Sequence, residues 1–319
     1  MKEINITEID STFRIGNAED KENGTGVTVL ISEEGINAGV DIRGGGPASR
    51  ETPLLDPLMG KRKINAVVLS GGSAFGLNAS AGVVKYLEEK NIGFITDFGK
   101  VPLVCQSCIY DLGYKSSKIK PDADMAYKAC IDSEKNNPRQ GNIGVGCGAT
   151  VGKLYGMEQS QKSGIGIYAV EIKGLKVGAL VVVNAFGDVF NGKREKIAGL
   201  RTKDKKNFLD FKEEWYKTIN QEKKENNNKE MQNTTLAIII TNAKFEGAEL
   251  CKIASMANDA FARRIDPIHT MYDGDTIYAL STDGNDKIQV DINIVGTLAT
   301  QVLETAIERS IINSQDEEA

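Results

Sequence analysis

A long charged segment ends abruptly at residue 234, where the most β-prone stretch of the chain begins. Residues 201–233 carry 16 charged side chains among 33 residues and finish in an asparagine-rich run. This composition predicts a solvated linker with one short helix around 208–219 and a mobile part over 220–233. The apolar TTLAIIITNA that follows, residues 234–243, predicts a strand buried in the core.

The rest of the chain mixes apolar strands with amphipathic helices, which indicates an α/β or α+β fold. The segment SEEGIN predicts a hairpin loop between strands 27–31 and 38–42, GFITD reads as a buried strand, and the glycine-dense stretch 141–156 cannot form a regular helix. The pattern predicts further strands at 64–70, 165–172, 177–189 and 276–282, and helices after residue 76 and over 122–135, 247–263 and 293–312.

Composition excludes several classes of function. The chain of 319 residues has 39 basic against 44 acidic side chains, so we expect no nucleic-acid partner. It has no run of about 20 apolar residues, and therefore no predicted membrane span. Five cysteines without an apparent export signal predict a cytoplasmic protein. The single histidine, His269, rules out a zinc site built from two or three histidines, and we expect it to be a hydrogen-bonded structural residue.

Two motifs resemble known functional sites but do not meet the requirements of those sites. In GVGCGATVGK, only three residues separate Gly148 from Gly152 and Leu154 follows the lysine, so the phosphate-binding loop pattern is not met and a structural glycine loop is favoured. The pair Cys105 and Cys108 lies in an apolar strand-like run rather than before a helix, which favours buried structural cysteines over a redox or zinc site.

A glycine-rich turn follows the predicted strand 64–70. Ser73 occupies the place of a nucleophile elbow, but that motif requires glycine at 75, where this chain has Phe75. Two alternatives stay open for Gly71, Gly72, Ser73 and Phe75. They line a substrate pocket with backbone N–H groups at a helix start, or they form a purely structural turn.

The junction between Asn233 and Thr234 suggests a self-activated nucleophile. If this bond were cleaved, one residue would carry both a hydroxyl and a free α-amino group, whose reference pKa of about 7.7–8.0 lets it act as a base near neutral pH. An ordinary loop end before a strand would have the same sequence, so the junction alone leaves both interpretations open.

The pattern as a whole resembles the L-aminopeptidase/D-esterase family, which includes DmpA and the β-aminopeptidases. The resemblance covers about residues 15–312 and depends on the order and spacing of several segments. These are TGVTVLI, AGVDIRGGGPASRETPLLDP, VVLSGGSAFGLNASAGVVKYLEE, VPLVCQSCIYDLGY, GNIGVGCGATVGK, VGALVVVNAFGDV, NTTLAIIITNA and HTMYDGDTIYALST.

The resemblance implies a single domain over 1–319 with a four-layer α/β/β/α sandwich, similar to ornithine acetyltransferase, that cuts itself into 1–233 and 234–319. Thr234 would be the nucleophile, Asn233 and Thr234 the cleavage site, and Asn184 an oxyanion donor. The family's Ser-x-Glu falls on Asp273 and Asp275, a departure in which a carboxylate replaces a hydroxyl. No metal or organic cofactor is implied, and tetramers or larger assemblies are expected.

These inferences predict an N-terminal-threonine aminopeptidase or amidase that hydrolyses short peptides, amides or esters through an acyl-enzyme. Two alternatives remain. One is acyl transfer or hydrolysis of non-peptide amides on the same fold. The other is an uncleaved relative that binds a small molecule and has lost activity.

Overall fold

The structure, a computed structural model, describes residues 1–60, 62–219, 232–284 and 287–314. Its helices are α1 (Ala79–Glu89), α2 (Ala123–Ser133), α3 (Phe211–Tyr216), α4 (Gly247–Arg264) and α5 (Ile292–Ile312). Its strands are β1 (Lys2–Glu3), β2 (Arg14–Asp20), β3 (Thr25–Ile42), β4 (Ala48–Arg50), β5 (Ile64–Ser70), β6 (Phe94–Thr96), β7 (Gly99–Val101), β8 (Val104–Cys108), β9 (Thr150–Val151), β10 (Gln161–Lys162), β11 (Ile165–Ile172), β12 (Leu175–Asn184), β13 (Asp188–Phe190), β14 (Lys196–Ala198), β15 (Thr234–Thr241), β16 (Ile265–Asp266) and β17 (Thr276–Ser281).

Two sheets share the long strand β3. One sheet has the order β1-β11-β12-β15-β17-β3, and the other contains β2, β3, β5, β8 and β4. The predicted hairpin at SEEGIN is wrong, because β3 runs through this segment as one strand of 18 residues. A register irregularity between Ile31 and Ile36, with Gly35 in a left-handed conformation, lets the strand pass from one sheet to the other.

Three apolar layers hold the sandwich together. Along β15, Leu236 and Ile238 face the core between the two sheets, whereas Ala237 and Ile239 face α4 and α5. The middle of this strand, residues 236–240, is apolar without interruption because the strand is buried on both faces. Helices α1 and α2 cover the outer face of the second sheet. The predicted α/β/β/α layering is therefore confirmed.

Local signals in the sequence set the helix starts. The Asp122 side chain accepts a hydrogen bond of 2.9 Å from the Met125 N–H at the start of α2, and Asp291 accepts one of 2.7 Å from the Asn293 N–H at the start of α5. The helices predicted over 122–135, 247–263 and 293–312 are confirmed as α2, α4 and α5.

Two predictions about exposure need correction. GFITD was expected to be buried, but β6 pairs with β7 in an exposed hairpin apart from the large sheets. The charged segment was expected to be solvated, yet the predicted short helix, α3, anchors it through Phe211, which is 2% exposed and packs against Phe186. Apolar side chains at helical spacing explain this docking despite the surrounding charge. The mobility predicted for 220–233 concerns mostly residues 220–231, which lie outside the described residues.

Among the described helices, none is both long enough and apolar enough to cross a lipid bilayer.

Candidate active site

Thr234 begins β15 and lies between two neighbouring chain segments. On one side it pairs with Asn184, at the end of the antiparallel strand β12. On the other side lies the parallel strand β17, where Leu236 pairs with Thr276. Two residues earlier in the same register, Gly274 lies beside Thr234. Directly paired residues in an antiparallel ladder point to the same face, with Cβ atoms about 5 Å apart. The sheet therefore brings the side chains of Asn184 and Thr234 together, as the sequence-based assignment requires.

The carbonyl of Asn233 is held from two sides. Its oxygen accepts a hydrogen bond of 3.0 Å from the Gly274 N–H and a short one from the Thr234 hydroxyl. The Asn233 N–H donates to the Tyr272 carbonyl at 2.7 Å, and Asn233 is only 2% exposed. The peptide bond predicted for cleavage is thus buried and fixed, with the candidate nucleophile against its own preceding carbonyl.

Two buried carboxylates flank Gly274. Asp273 accepts hydrogen bonds from the Thr270 N–H at 2.9 Å and the Thr270 hydroxyl at 2.6 Å through one oxygen, and its other oxygen has no partner among the described residues. Burial, reinforced by the charge of Asp275, raises the pKa of Asp273 to about 6. Asp275 accepts a hydrogen bond of 2.7 Å from the Thr235 N–H. Both predicted aspartates therefore lie beside the junction.

A glycine run supports this acidic loop. The Gly46 N–H donates to the Asp273 carbonyl at 2.8 Å, and the Gly45 N–H donates to the Thr270 carbonyl at 3.1 Å. A Cβ on Gly44 would lie 2.3 Å from the Asp275 nitrogen, a distance that real Cβ atoms do not reach. A Cβ on Gly45 would lie 2.7 Å from the Met271 Cα, so positions 44 and 45 require glycine because two backbones approach closely here.

Asn184 is fully buried and uses both ends of its amide. Its oxygen accepts hydrogen bonds from Lys153 Nζ at 2.7 Å and the Thr150 N–H at 3.1 Å, while its nitrogen donates to the Tyr110 carbonyl at 2.9 Å. The amide nitrogen of Asn184 therefore binds the Tyr110 carbonyl, and the backbone donor to the Asn233 carbonyl is the Gly274 N–H.

Lys153 is the site residue that sequence reasoning missed. It is 7% exposed, and its ammonium group also donates to the Asn184 carbonyl at 3.0 Å. Burial lowers the pKa of Lys153 to about 7, although the charges of Asp273 and Asp111 oppose this effect. A signal was available, because Lys153 is the only charged residue in the glycine-dense stretch 141–156.

The turn at Gly71 to Phe75 corrects part of the pocket prediction. The Gly71, Gly72 and Ser73 N–H groups donate to the Gly26 carbonyl at 2.9 Å, Asp111 Oδ1 at 2.7 Å and the Ile109 carbonyl at 2.9 Å. These groups are not free to bind an anion, because a 3-10 turn over Ser73–Asn78 separates them from α1 and internal acceptors satisfy them. Phe75 is 65% exposed.

The remaining candidates are structural in their contacts. The His269 Nδ1 lies 2.9 Å from Asp275 Oδ2, as expected for a hydrogen-bonded histidine. Cys105 and Cys108 are buried free thiols on β8, and burial raises the pKa of each to about 12. Thiols with such pKa values are poor nucleophiles at neutral pH.

Comparison with known proteins agrees with the resemblance seen in the sequence. Peptidase family S58 matches residues 5–319. An uncharacterized aminopeptidase of Mycobacterium leprae is 35% identical over 271 residues, which span 81% of this chain and 70% of that protein. A 6-aminohexanoate-oligomer endohydrolase of an Agromyces strain is 28% identical over 311 residues, or 92% of this chain and 82% of that protein.

The fold is similar to that of the L-aminopeptidase D-Ala-esterase/amidase of Ochrobactrum anthropi, a variant of the Ntn hydrolase fold. The TM-score is 0.70 at 17% identity, and the match covers 97% of this chain and 86% of the other. With a family match over nearly the whole sequence, the chain belongs to peptidase family S58 and is a hydrolase.

Proposed function

We propose that this protein is an amide hydrolase that activates itself by cleaving the Asn233–Thr234 bond and then uses Thr234 as an N-terminal nucleophile. The observation that carries the proposal is the arrangement at the bond itself. The Thr234 hydroxyl contacts the Asn233 carbonyl oxygen, and the Gly274 N–H donates to that same oxygen at 3.0 Å.

The proposed self-cleavage has two steps. The Thr234 oxygen attacks the Asn233 carbonyl carbon and gives up its proton to a base. The carbon–nitrogen bond then breaks and the nitrogen, protonated, becomes a free amine, which leaves Asn233 as an ester on the Thr234 oxygen. Water hydrolyses the ester to a carboxylate on Asn233 and restores the hydroxyl. The Gly274 N–H stabilises the negative charge that develops on the carbonyl oxygen.

The base in self-cleavage must be a neighbouring side chain, because the α-amino group of Thr234 is still part of the peptide bond. Lys153 suits this role, since a pKa of about 7 leaves much of it neutral at physiological pH. Its ammonium nitrogen lies 2.7 Å from the side-chain oxygen of Asn184, the direct strand partner of Thr234. During later turnover, the freed α-amino group of Thr234 becomes a second candidate base.

The mass of the purified protein tests self-cleavage, with Thr234→Ala and Thr235→Ala as a matched pair. Thr235 is the same residue type, one position along, and its partner Val183 faces the helix layer rather than the core between the sheets. We expect wild type and Thr235→Ala to yield pieces 1–233 and 234–319, and Thr234→Ala to remain one inactive chain. An active wild type that is never cut would overturn the mechanism.

A non-peptide amide is the second candidate substrate class. Support comes from the similarity to a protein named for hydrolysing 6-aminohexanoate oligomers, whose amide bonds lie far from the charged amino group. We propose comparing turnover of α-, β- and 6-amino-acid amides by the cleaved protein. Preference for the α-amino-acid amides would favour a peptidase, and preference for the 6-amino-acid amides would favour the second class.

A further inference from the structure

We infer that His269 is a positioning residue that orients the nucleophile through Asp275. The inference depends on the proposed self-cleavage at Thr234. It concerns a residue that the sequence analysis assigned only a structural role, and it specifies what that role does for the reaction.

His269 binds one oxygen of Asp275 twice. Its ring nitrogen Nδ1 lies 2.9 Å from Asp275 Oδ2, and its backbone N–H donates to the same oxygen at 3.1 Å. The other oxygen, Oδ1, accepts the Thr235 N–H at 2.7 Å. Asp275 is completely buried, so water does not replace these partners. The carboxylate therefore connects His269 to the backbone beside the nucleophile.

The Thr235 N–H belongs to the peptide unit that begins at the Cα of Thr234. A peptide unit is planar, so fixing its N–H fixes the orientation of that plane at Thr234. Thr234 Oγ must meet the Asn233 carbonyl at a defined angle, and small displacements reduce the rate of such intramolecular steps strongly. The orientation of Asp275 thus controls the alignment of the attacking oxygen.

The backbone of His269 favours this interpretation over simple packing. The residue adopts φ of 57°, a left-handed conformation that most non-glycine residues avoid. In this conformation its ring nitrogen and its backbone N–H both reach Asp275 Oδ2. The ring of His269 also lies 6.1 Å from the ring of Phe261, so a separate variant must test the contribution of this ring contact.

Substitutions at 269 separate the hydrogen bond from the backbone conformation. Asparagine and glycine both tolerate left-handed φ, but only asparagine offers a side-chain N–H to Asp275. Aspartate has the shape of asparagine and would instead repel the carboxylate. Phe261→Leu removes the ring contact and leaves the hydrogen bond in place.

The experiment measures self-cleavage half-time, kcat and KM of the cleaved protein, and Tm. We expect His269→Gly and His269→Asp to slow cleavage and lower kcat by about tenfold or more, corresponding to ~1.4 kcal/mol, with KM nearly unchanged. His269→Asn should remain within about threefold of wild type (~0.7 kcal/mol). Phe261→Leu should lower Tm while cleaving at the wild-type rate.

Two outcomes would overturn the inference. In one, His269→Gly cleaves and turns over like wild type. In the other, His269→Asn is as slow as His269→Gly and the loss follows Tm across all variants, as a purely structural role requires. Thr234→Ala in the same assay separates the two proposals. If Thr234→Ala still cleaves, the proposed function fails whatever His269 does, and if it is inert while His269→Gly is normal, only the role of His269 fails.

Discussion

The backbone N–H of Gly274 donates a hydrogen bond of 3.0 Å to the carbonyl oxygen of Asn233, on the opposite side of Thr234 from Asn184. A backbone donor fixed by a parallel strand register costs little reorganisation when negative charge develops on its acceptor. The residue between the two aspartates is therefore a functional element of the proposed self-cleavage and not only a spacer between them.

Gly274→Ala tests this role directly. A Cβ at 274 would lie 2.9 Å from Thr234 Oγ and 3.0 Å from the Gly46 carbonyl oxygen, so the donor and the nucleophile would have to move apart. We expect self-cleavage to slow at least about tenfold, a cost of ~1.4 kcal/mol. The half-time, followed by intact mass after expression and purification, gives the measurement.

Gly46→Ala is the matched control, because the nearest atoms to a Cβ at 46 lie 3.8 Å away. This variant adds the same methyl group to the same pair of chain segments without touching Thr234. We expect it to cleave at the wild-type rate. Equal slowing of both variants would mean that the loop as a whole, rather than the Gly274 donor, limits the reaction.

The strand pattern and the family resemblance together predicted from sequence which residues surround Thr234. The strand registers bring Thr234, Asn184, Asp273 and Asp275 close together in the structure, and the roles that the resemblance implies for them stay predictions. Lys153 was missed because its proposed role depends on a contact with Asn184, 31 positions away, and on burial that no local pattern reveals. The glycine loop that contains Lys153 did not meet the phosphate-binding pattern, so no function was predicted for the lysine.

One cause explains two points that the sequence analysis left open or predicted wrongly. The turn at Gly72 left an anion site and a structural turn open, and the structure shows that its N–H groups donate to Asp111 and to other acceptors from distant segments. The segment SEEGIN looked like a hairpin because its composition is polar, whereas the fold needs the strand to cross from one sheet to the other there. In both places the structure depends on contacts with residues far away in the chain, which cannot be predicted from a single sequence.

Lys153→Met should change stability in a pH-dependent way while impairing the proposed reaction. Burial lowers the pKa of Lys153 from 10.5 to about 7, so the native state binds its proton more weakly than the unfolded state does. The buried ammonium group therefore lowers the free energy of unfolding by its full amount below pH 7, and this destabilisation decreases as pH rises from 7 to 10.5. The substitution also leaves the carbonyl and side-chain oxygens of Asn184 without their lysine donor, which lowers Tm at every pH. We therefore expect the change in Tm to be more favourable at pH 6 than at pH 9.5.

Lys162→Met is the contrasting control for this prediction. Lys162 is also buried, but its ammonium group donates to the Gly146 and Ala149 carbonyls at 2.9 and 3.0 Å. Removing it leaves these buried acceptors without that donor, so we expect a lower Tm at both pH values. A change in Tm on Lys153→Met that is no more favourable at pH 6 than at pH 9.5 would contradict the assignment of a costly buried ammonium.

The rate of self-cleavage should rise with pH through about 7. A base must be neutral before it accepts a proton, and the neutral fraction of Lys153 increases as pH passes its pKa of about 7. We expect the rate to increase about tenfold per pH unit below the midpoint and to level off above it. Cleavage of freshly refolded protein, sampled between pH 5 and 9, measures the profile.

Asp111→Asn tests whether the titration of Lys153 sets the midpoint of this pH–rate profile. The charge of Asp111 raises the pKa of Lys153, so its removal should move the midpoint to lower pH. The substitution fits the site, because an amide can accept the Gly72 N–H and donate to the Thr25 hydroxyl, the two groups that now bind the carboxylate at 2.7 and 2.6 Å. A midpoint that stays in place or rises would rule out Lys153 as the titrating base.

Asn184 can act on the oxyanion or on Lys153, and two substitutions separate these roles. Asn184→Ala removes the amide nitrogen, the candidate oxyanion donor, and also the oxygen that accepts from Lys153 at 2.7 Å. Asn184→Asp removes only the nitrogen and places a carboxylate beside the ammonium group, which should raise the pKa of Lys153. If the amide nitrogen stabilises the oxyanion, both variants should lose about a hundredfold or more in kcat.

If Asn184 instead orients Lys153, the two variants should differ. Asn184→Asp would keep Lys153 in place and recover much of its activity at higher pH, with the midpoint moved above 7, whereas Asn184→Ala would stay slow at every pH. The measurement is kcat of the cleaved protein against pH for both variants, together with Tm, because both leave the Tyr110 carbonyl without its donor at 2.9 Å. Wild-type turnover in Asn184→Ala would eliminate both roles and leave Gly274 as the donor that the reaction requires.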